Sequence, residues 1–235
     1  MEIIPVIDLM HGHVVHARLG LRQHYLPVQS ILCKSSAPSA IVEALLELYP
    51  FKRLYIADLD AIKGLGHHLD TIMKIQAHYP DLEIWLDAGI SNAEALSSWK
   101  SLNLTHVIGS ENITTATDFI AIGENLAGKF VLSLDFNQNG FVGCPELEIQ
   151  SYYWPDKIIV MDLKQVGSEH GPDTQRLESV KYQAGNKQIF AAGGIRHNSD
   201  LEQLATLSIS GALVATALHN GNLSPSESLF CGIAS

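Results

Sequence analysis

Apolar residues fall into eight short, near-continuous runs along the chain. They are Ile3–Ile7, Leu54–Ala57, Ile84–Leu86, His106–Ile108, Phe130–Leu134, Ile158–Met161, Ile189–Ala192 and Ala212–Ala215. Each is too short for a helix and lacks polar alternation, the pattern of a strand buried on both faces. Between the runs the period shifts to that of an amphipathic helix, at Ala40–Tyr49, Leu69–His78, Ala93–Trp99, Asp118–Leu126, Arg176–Tyr182 and Leu201–Leu207. S-x-x-E capping boxes at Ser91/Glu94, Ser199/Glu202 and Ser224/Glu227 mark helix starts, the last with Pro225 at the first helical position. The pattern is weakest over 145–154, where helical spacing holds for one or two turns.

Strand–helix alternation taken eight times fits either a closed barrel or an open doubly wound sheet. An internal repeat decides between them. VIDLMHG (6–12) is similar to SLDFNQNG (133–140), and LYIADLDAIKG (54–64) to IIVMDLKQVG (158–167). IWLDAGIS (84–91) is similar to IFAAGGIR (189–196), and HVIGS (106–110) to ALVAT (212–216). The predicted fold is therefore α/β, a (β/α)8 TIM barrel of two repeated (βα)4 halves, about 1–127 and 128–235. One domain over 1–235 is expected.

Composition narrows the function classes. Hydrophobic residues make up 46% of the 235 and charged residues 17%, enough for a sizeable core and too little charge for disorder. A net charge of −10 disfavours nucleic acid and anionic membrane surfaces, both polyanions. Cys33, Cys144 and Cys231 are odd in number and widely spaced, which fits free thiols in a reducing compartment better than disulfides or a zinc site. The first residues, MEIIPVIDLM, lack the basic segment of a signal peptide, and no run reaches a membrane span. A cytoplasmic protein is expected. Its oligomeric state is left open.

The candidate chemistry lies at the strand ends, where barrels of this kind carry their sites. Asp8 ends the first strand and Asp135 the fifth, four strands apart in a ring of eight, an arrangement suited to general acid–base work. The bland alternative for each is an Asx turn. Asp58, Asp60 and Asp162, ending strands two and six, fit loop organisation better. Gly193-Gly194 after strand seven, with the small-residue turn Ala215-Thr216-Ala217 after strand eight, lets backbone amides approach a phosphate. Arg196 is a further candidate contact. The alternative for the glycine pair is a tight turn only.

The first-half equivalent of this grip is rewritten. Asp87 and Ala88 replace Ala192-Gly193, Gly89 matches Gly194, Ser91 stands in place of Arg196, and Glu111 follows Gly109-Ser110. Carboxylates beside a phosphate dianion cost several kcal/mol outside bulk water. The expected ligand therefore carries one phosphate, with a neutral or cationic far end. In the first loop, His11, His13, His16 and His24 accompany Arg18, Arg22 and Tyr25. A mobile basic loop folding over the ligand is expected there, with Arg18 and Arg22 as its anion contacts and no metal site. His67-His68 reads the same way, and Trp85, Trp99 and Trp154 read as packing residues.

IIPVIDL, LYIADLDAIKG, LSLDFNQNG, GPD (171–173), AAGGIR (191–196) and GALVATALHNG (211–221) resemble the ProFAR isomerase family of histidine biosynthesis over nearly the whole chain. The resemblance implies a half-barrel-repeat (β/α)8 fold and an Amadori rearrangement of an aminoaldose phosphate to an aminoketose, an aldose–ketose isomerisation that needs no cofactor. It places the general base on Asp8, the general acid on Asp135, and the phosphate on Gly194 and Ala215 to Ala217. Met161 and Val166-Gly167 stand where the family usually has threonine and aspartate–glycine. DAGIS replaces a glycine- and arginine-containing loop, and GCPEL (143–147) replaces a glycine–tryptophan contact. Three readings follow: an isomerase of a singly phosphorylated sugar or heterocycle, ProFAR isomerase itself, or a non-catalytic phospholigand-binding protein.

Overall fold

The computed structural model describes residues 1–17, 22–166 and 171–223. All eight apolar runs become parallel strands of one closed barrel. With strands numbered in chain order, the staves are β1 (Glu2–Met10), β4 (Arg53–Asp58), β5 (Glu83–Asp87), β6 (Thr105–Gly109), β7 (Val131–Asn137), β9 (Lys157–Asp162), β10 (Gln188–Ala192) and β11 (Gly211–Val214). Each pairs with its successor, and β11 closes the ring on β1 from Glu2↔Gly211 to Pro5↔Val214. Outside the ring lie β2 (His13–His16) and β3 (Leu26–Pro27), which extend β1 antiparallel, and β8 (Gly140–Val142), which folds back on β7.

The helices are α1 (Pro38–Leu48), α2 (Leu59–Ile62), α3 (Leu69–His78), α4 (Ala116–Asn125), α5 (Pro145–Ile149), α6 (Thr174–Ala184), α7 (Asn198–Thr206) and α8 (Thr216–His219). Several helix starts differ from the sequence reading. Glu94–Trp99 is 3₁₀ rather than α, and Asn92, not Ser91, accepts the Ala95 N–H at 3.0 Å. Helix α7 starts at Asn198, with Asp200 accepting from the His197 N–H, so the Ser199/Glu202 frame is displaced by two residues. Helix α6 begins at Thr174, because Asp173 caps it through the Arg176 N–H at 3.1 Å. Ser224 and Glu227 lie outside the described residues.

The stretch after β1 is the largest difference. In place of a mobile loop, residues 13–16 form a hairpin with β1, in the register Asp8↔Val15 and Met10↔His13. Val14 and Val15 are buried, and the two valines hold the hairpin to the barrel. Arg18 lies outside the described residues.

Two apolar clusters explain which side chains face the site. One fills the shell between staves and helices. The other lies inside the ring and contains Ile4, Tyr55, Trp85, Val107, Val131, Ile159, Phe190 and Leu213. Successive strand residues alternate faces. Asp8 shares the parity of Ile4, Asp87 that of Trp85, and Asp135 that of Val131, so all three point into the barrel. Asp58 and Asp162 have the opposite parity and point toward the helices.

The floor of the barrel is sealed by aromatic and ionic packing. Trp85 is fully buried, meets Phe190 edge-on at 5.0 Å, and lies under Arg53 and Lys157. Arg53 bridges Glu2 and Glu83, and Glu83 also accepts from Trp85 Nε1 and Thr105 Oγ1, each at 2.9 Å. With this end closed, the other end is left for a ligand. Trp99 and Trp154 are buried as well, as packing residues should be.

Candidate active site

The C-terminal ends of the staves open onto a cavity of about 730 Å³. Asp8, Asp87, Glu111 and Asp135 line it, as do Gly193, Gly194, Arg196, Ala215, Thr216 and Ala217. Asp8 on β1 and Asp135 on β7 stand on opposite sides of the ring.

Asp135 is almost wholly buried, with 4% of its surface exposed. Its Oδ1 accepts from Ser133 Oγ at 2.7 Å and its Oδ2 from the Glu111 N–H at 3.1 Å. Burial, reinforced by the nearby Glu111 carboxylate, pushes its pKa up to about 7, although the bonds from Ser133 and Glu111 pull the other way. Proton accounting agrees. Ser110 Oγ has one hydrogen, and its shortest contact is the Val142 carbonyl at 2.7 Å. The same oxygen accepts the Asp135 N–H at 2.9 Å and lies 3.2 Å from Asp135 Oδ2, a contact that a protonated carboxyl satisfies by donating.

Tyr55 is a site residue that the sequence reading passes over. It is buried, lines the cavity, and donates to Asp87 Oδ2 at 3.3 Å. Burial first, then the charges of Asp87, Asp135 and Asp8, raise its pKa well above 10, so it stays a neutral donor. The signal was present in the strand, since Tyr55 has the inward parity of the interior cluster. Gly109 matters for the space it leaves. A Cβ there would lie 3.3 Å from Asp135 Oδ2 and 3.5 Å from Asp87 Oδ2, so the two carboxylates converge on the gap.

The two halves differ sharply in backbone supply. Gly193 and Gly194 have φ of 97° and 76°, values that β-carbon-bearing residues rarely adopt. Their lack of side chains also lets β10's end press onto the Asp162 and Gly171 carbonyls. Among the described residues, nothing accepts from the N–H groups of Gly194, Thr216 and Ala217. In the first half, Asp87 Oδ1 takes the Gly89 N–H at 3.0 Å, and Asp135 takes that of Glu111. Gly89 is packed against Ile62 of α2, while Ser91 is exposed. Gly89, Ser91, Gly109 and Ser110 are not among the residues lining the cavity, whereas Asp87 and Glu111 are.

Arg196 lies at the cavity wall with its guanidinium engaged by Asp200, at 2.8 Å from Nη2 and 3.1 Å from Nε. Asp58 accepts from the Ala61 N–H, the His68 N–H and His68 Nδ1, and Asp60 from the His11 N–H. These carboxylates organise loops. His16, at the end of β2, meets Thr216 just beyond the neighbouring β11, Nε2 to Oγ1 at 3.0 Å. Among the described residues no three His, Cys, Asp or Glu side chains gather as a metal site.

Fold and cavity together define a β/α barrel with its candidate chemistry at the carboxyl ends of the staves. Residues 2–224 match the model of the histidine biosynthesis protein family, and the chain belongs to that family. It is 33% identical over 229 residues to an uncharacterized protein of Methanocaldococcus jannaschii, covering 97% of each chain. It is 27% identical over 237 residues to an isomerase of Oceanobacillus iheyensis, with 95% of each chain covered. That isomerase is named for 1-(5-phosphoribosyl)-5-((5-phosphoribosylamino)methylideneamino)imidazole-4-carboxamide, or ProFAR. The isomerase of the same name from Acidithiobacillus ferrooxidans is 28% identical over 247 residues, with 97% coverage of each.

Proposed function

We propose that the protein is an acid–base isomerase of the aldose–ketose, Amadori type, acting on an aminoaldose that carries one phosphate. Asp135, protonated near neutral pH, donates a proton to the ring oxygen as the sugar opens. Asp8, across the mouth, removes the proton from C2 and, after exchange with solvent, returns a proton to C1 of the enaminol. The O2 proton of the enaminol passes back to Asp135 as the ketose forms. Gly194, Thr216 and Ala217 offer amides to the phosphate, and Gly193 and Ala215 keep the approach open. No cofactor is called for by this chemistry.

The observation that carries the single-phosphate reading is the contrast in amide occupancy. Among the described residues nothing accepts from the N–H groups of Gly194, Thr216 and Ala217, while Asp87 and Asp135 already accept those of Gly89 and Glu111. Asp87 and Glu111 also place negative charge where a second phosphate would sit. The full-length match to ProFAR isomerases favours a second reading, that very reaction on a bisphosphate.

One experiment separates them. The protein is incubated in D₂O with ProFAR and, separately, with singly phosphorylated aminoaldoses, and products are followed by NMR. Ketose formation with solvent deuterium at C1 from a monophosphate supports the proposal. Efficient turnover of ProFAR alone sinks the single-phosphate reading. Loss of turnover in both Asp8→Asn and Asp135→Asn, with folding retained, is expected; near-normal rates in both variants would falsify the acid–base assignment.

A further inference from the structure

We infer that His16 is the cationic ligand of the phosphate, delivered to it by the β1–β2 hairpin. The inference rests on the phosphate reading of the turns after β10 and β11. A phosphate dianion held by amides alone lacks a charged partner, and charge-assisted bonds are about twice as strong as neutral ones. Arg196, one of the cations expected from the sequence, is committed to Asp200 through two nitrogens. His16 meets the requirement instead. Its Nε2 lies 3.0 Å from Thr216 Oγ1, at the turn that offers amides, although 200 positions separate the two residues in the chain. Both side chains line the cavity that holds Gly194.

The hairpin explains how this contact arises. Stave β1 lies beside β11, and β2 folds back along β1 with Val15 opposite Asp8. The burial pattern of β2 is exposed, buried, buried, exposed, so Val14 and Val15 anchor the strand and leave His16 at its end toward the mouth. His16 is exposed, and its imidazolium therefore keeps most of its hydration. Among the described residues, the titratable groups that share its cavities include Asp8 on β1, Glu111 after β6, Asp135 on β7, Arg196 beyond β10 and His219 on α8. Burial, and secondarily the charge of His16, pushes His219 down to about 4, which leaves that ring neutral. With a phosphate seated at the turn, the Nε2–H that faces Thr216 Oγ1 is the donor that a protonated His16 presents to it.

The test is an NMR titration of the full chain with inorganic phosphate at pH 6, following the amides of Gly194 and Thr216. His16→Ala is expected to weaken binding about tenfold, the usual size of a lost charged hydrogen bond. His16→Arg should stay within about threefold of the parent protein. His13→Ala, at the exposed far end of the same strand, should leave binding unchanged and controls for damage to the hairpin. Affinity unaltered in His16→Ala, or weakened equally in His13→Ala, overturns the assignment. Absence of any shift at Gly194 and Thr216 in the parent protein defeats the phosphate reading itself, a failure distinct from the first.

Discussion

Burial lets Asp135 hold a proton up to about pH 7, and the same burial makes the residue a cost to folding. Its folded pKa of about 7 lies above the unfolded carboxylate value, so between these limits the native state holds a proton that the unfolded chain has released. Stability therefore falls as pH rises from about 4 to about 7. Asp135→Asn should gain about 1–2 kcal/mol over the parent protein at pH 8 and little at pH 4, measured by urea denaturation. A stability difference independent of pH would mean that Asp135 is ionised in the fold. Tyr55 makes the opposite case. Tyr55→Phe removes the hydroxyl that donates to Asp87 and leaves a buried oxygen without that partner. A loss of about 1–2 kcal/mol is expected in the same measurement. Residue type at the strand ends identifies Asp8 and Asp135 from sequence. The hydroxyl and amide partners that set the proton affinity of Asp135 come from β7 and from the turn after β6, which only folding assembles.

Among elements, the turn after β10 is the most demanding. Gly194→Ala places a Cβ against the Gly171 carbonyl at a positive φ. It should cost about 2–3 kcal/mol and abolish phosphate shifts in the titration above. The turn after β4 is held differently, by Asp58 and His68 at 2.8 Å. The hydrogen bond to Asp58 raises the His68 pKa, so the stabilisation is complete below the usual imidazole range and is lost as pH rises through the raised value. His68→Ala should consequently be more destabilising at pH 5.5 than at pH 9, by about 1 kcal/mol, in paired thermal melts. The staves themselves are legible from apolar runs, because strands buried on both faces tolerate few polar residues. The hairpin at His13–His16 is not. Its four residues carry too short a pattern, and the pairing that stabilises it is with β1.

For the whole molecule, the barrel has one end built for stability and one left open. Trp85→Ala should cost about 3–5 kcal/mol by emptying the floor beneath Phe190 and Arg53. Ligand-free acid–base geometry at the other end should survive in whatever fraction remains folded, as the Asp135 titration would report. Periodicity and the half-chain repeat are enough to specify eight staves, the barrel, and the strand-end positions of Asp8, Asp135, Gly193 and Gly194. These follow from local rules of alternation, burial and turn chemistry that act over a few residues. Which amides stay available was decided by the tertiary structure. So were the pairing of Arg196 with Asp200, the approach of His16 to Thr216, and the placing of Tyr55 among three carboxylates. Each depends on distances between segments far apart in the chain, and such distances exist only once the ring has closed.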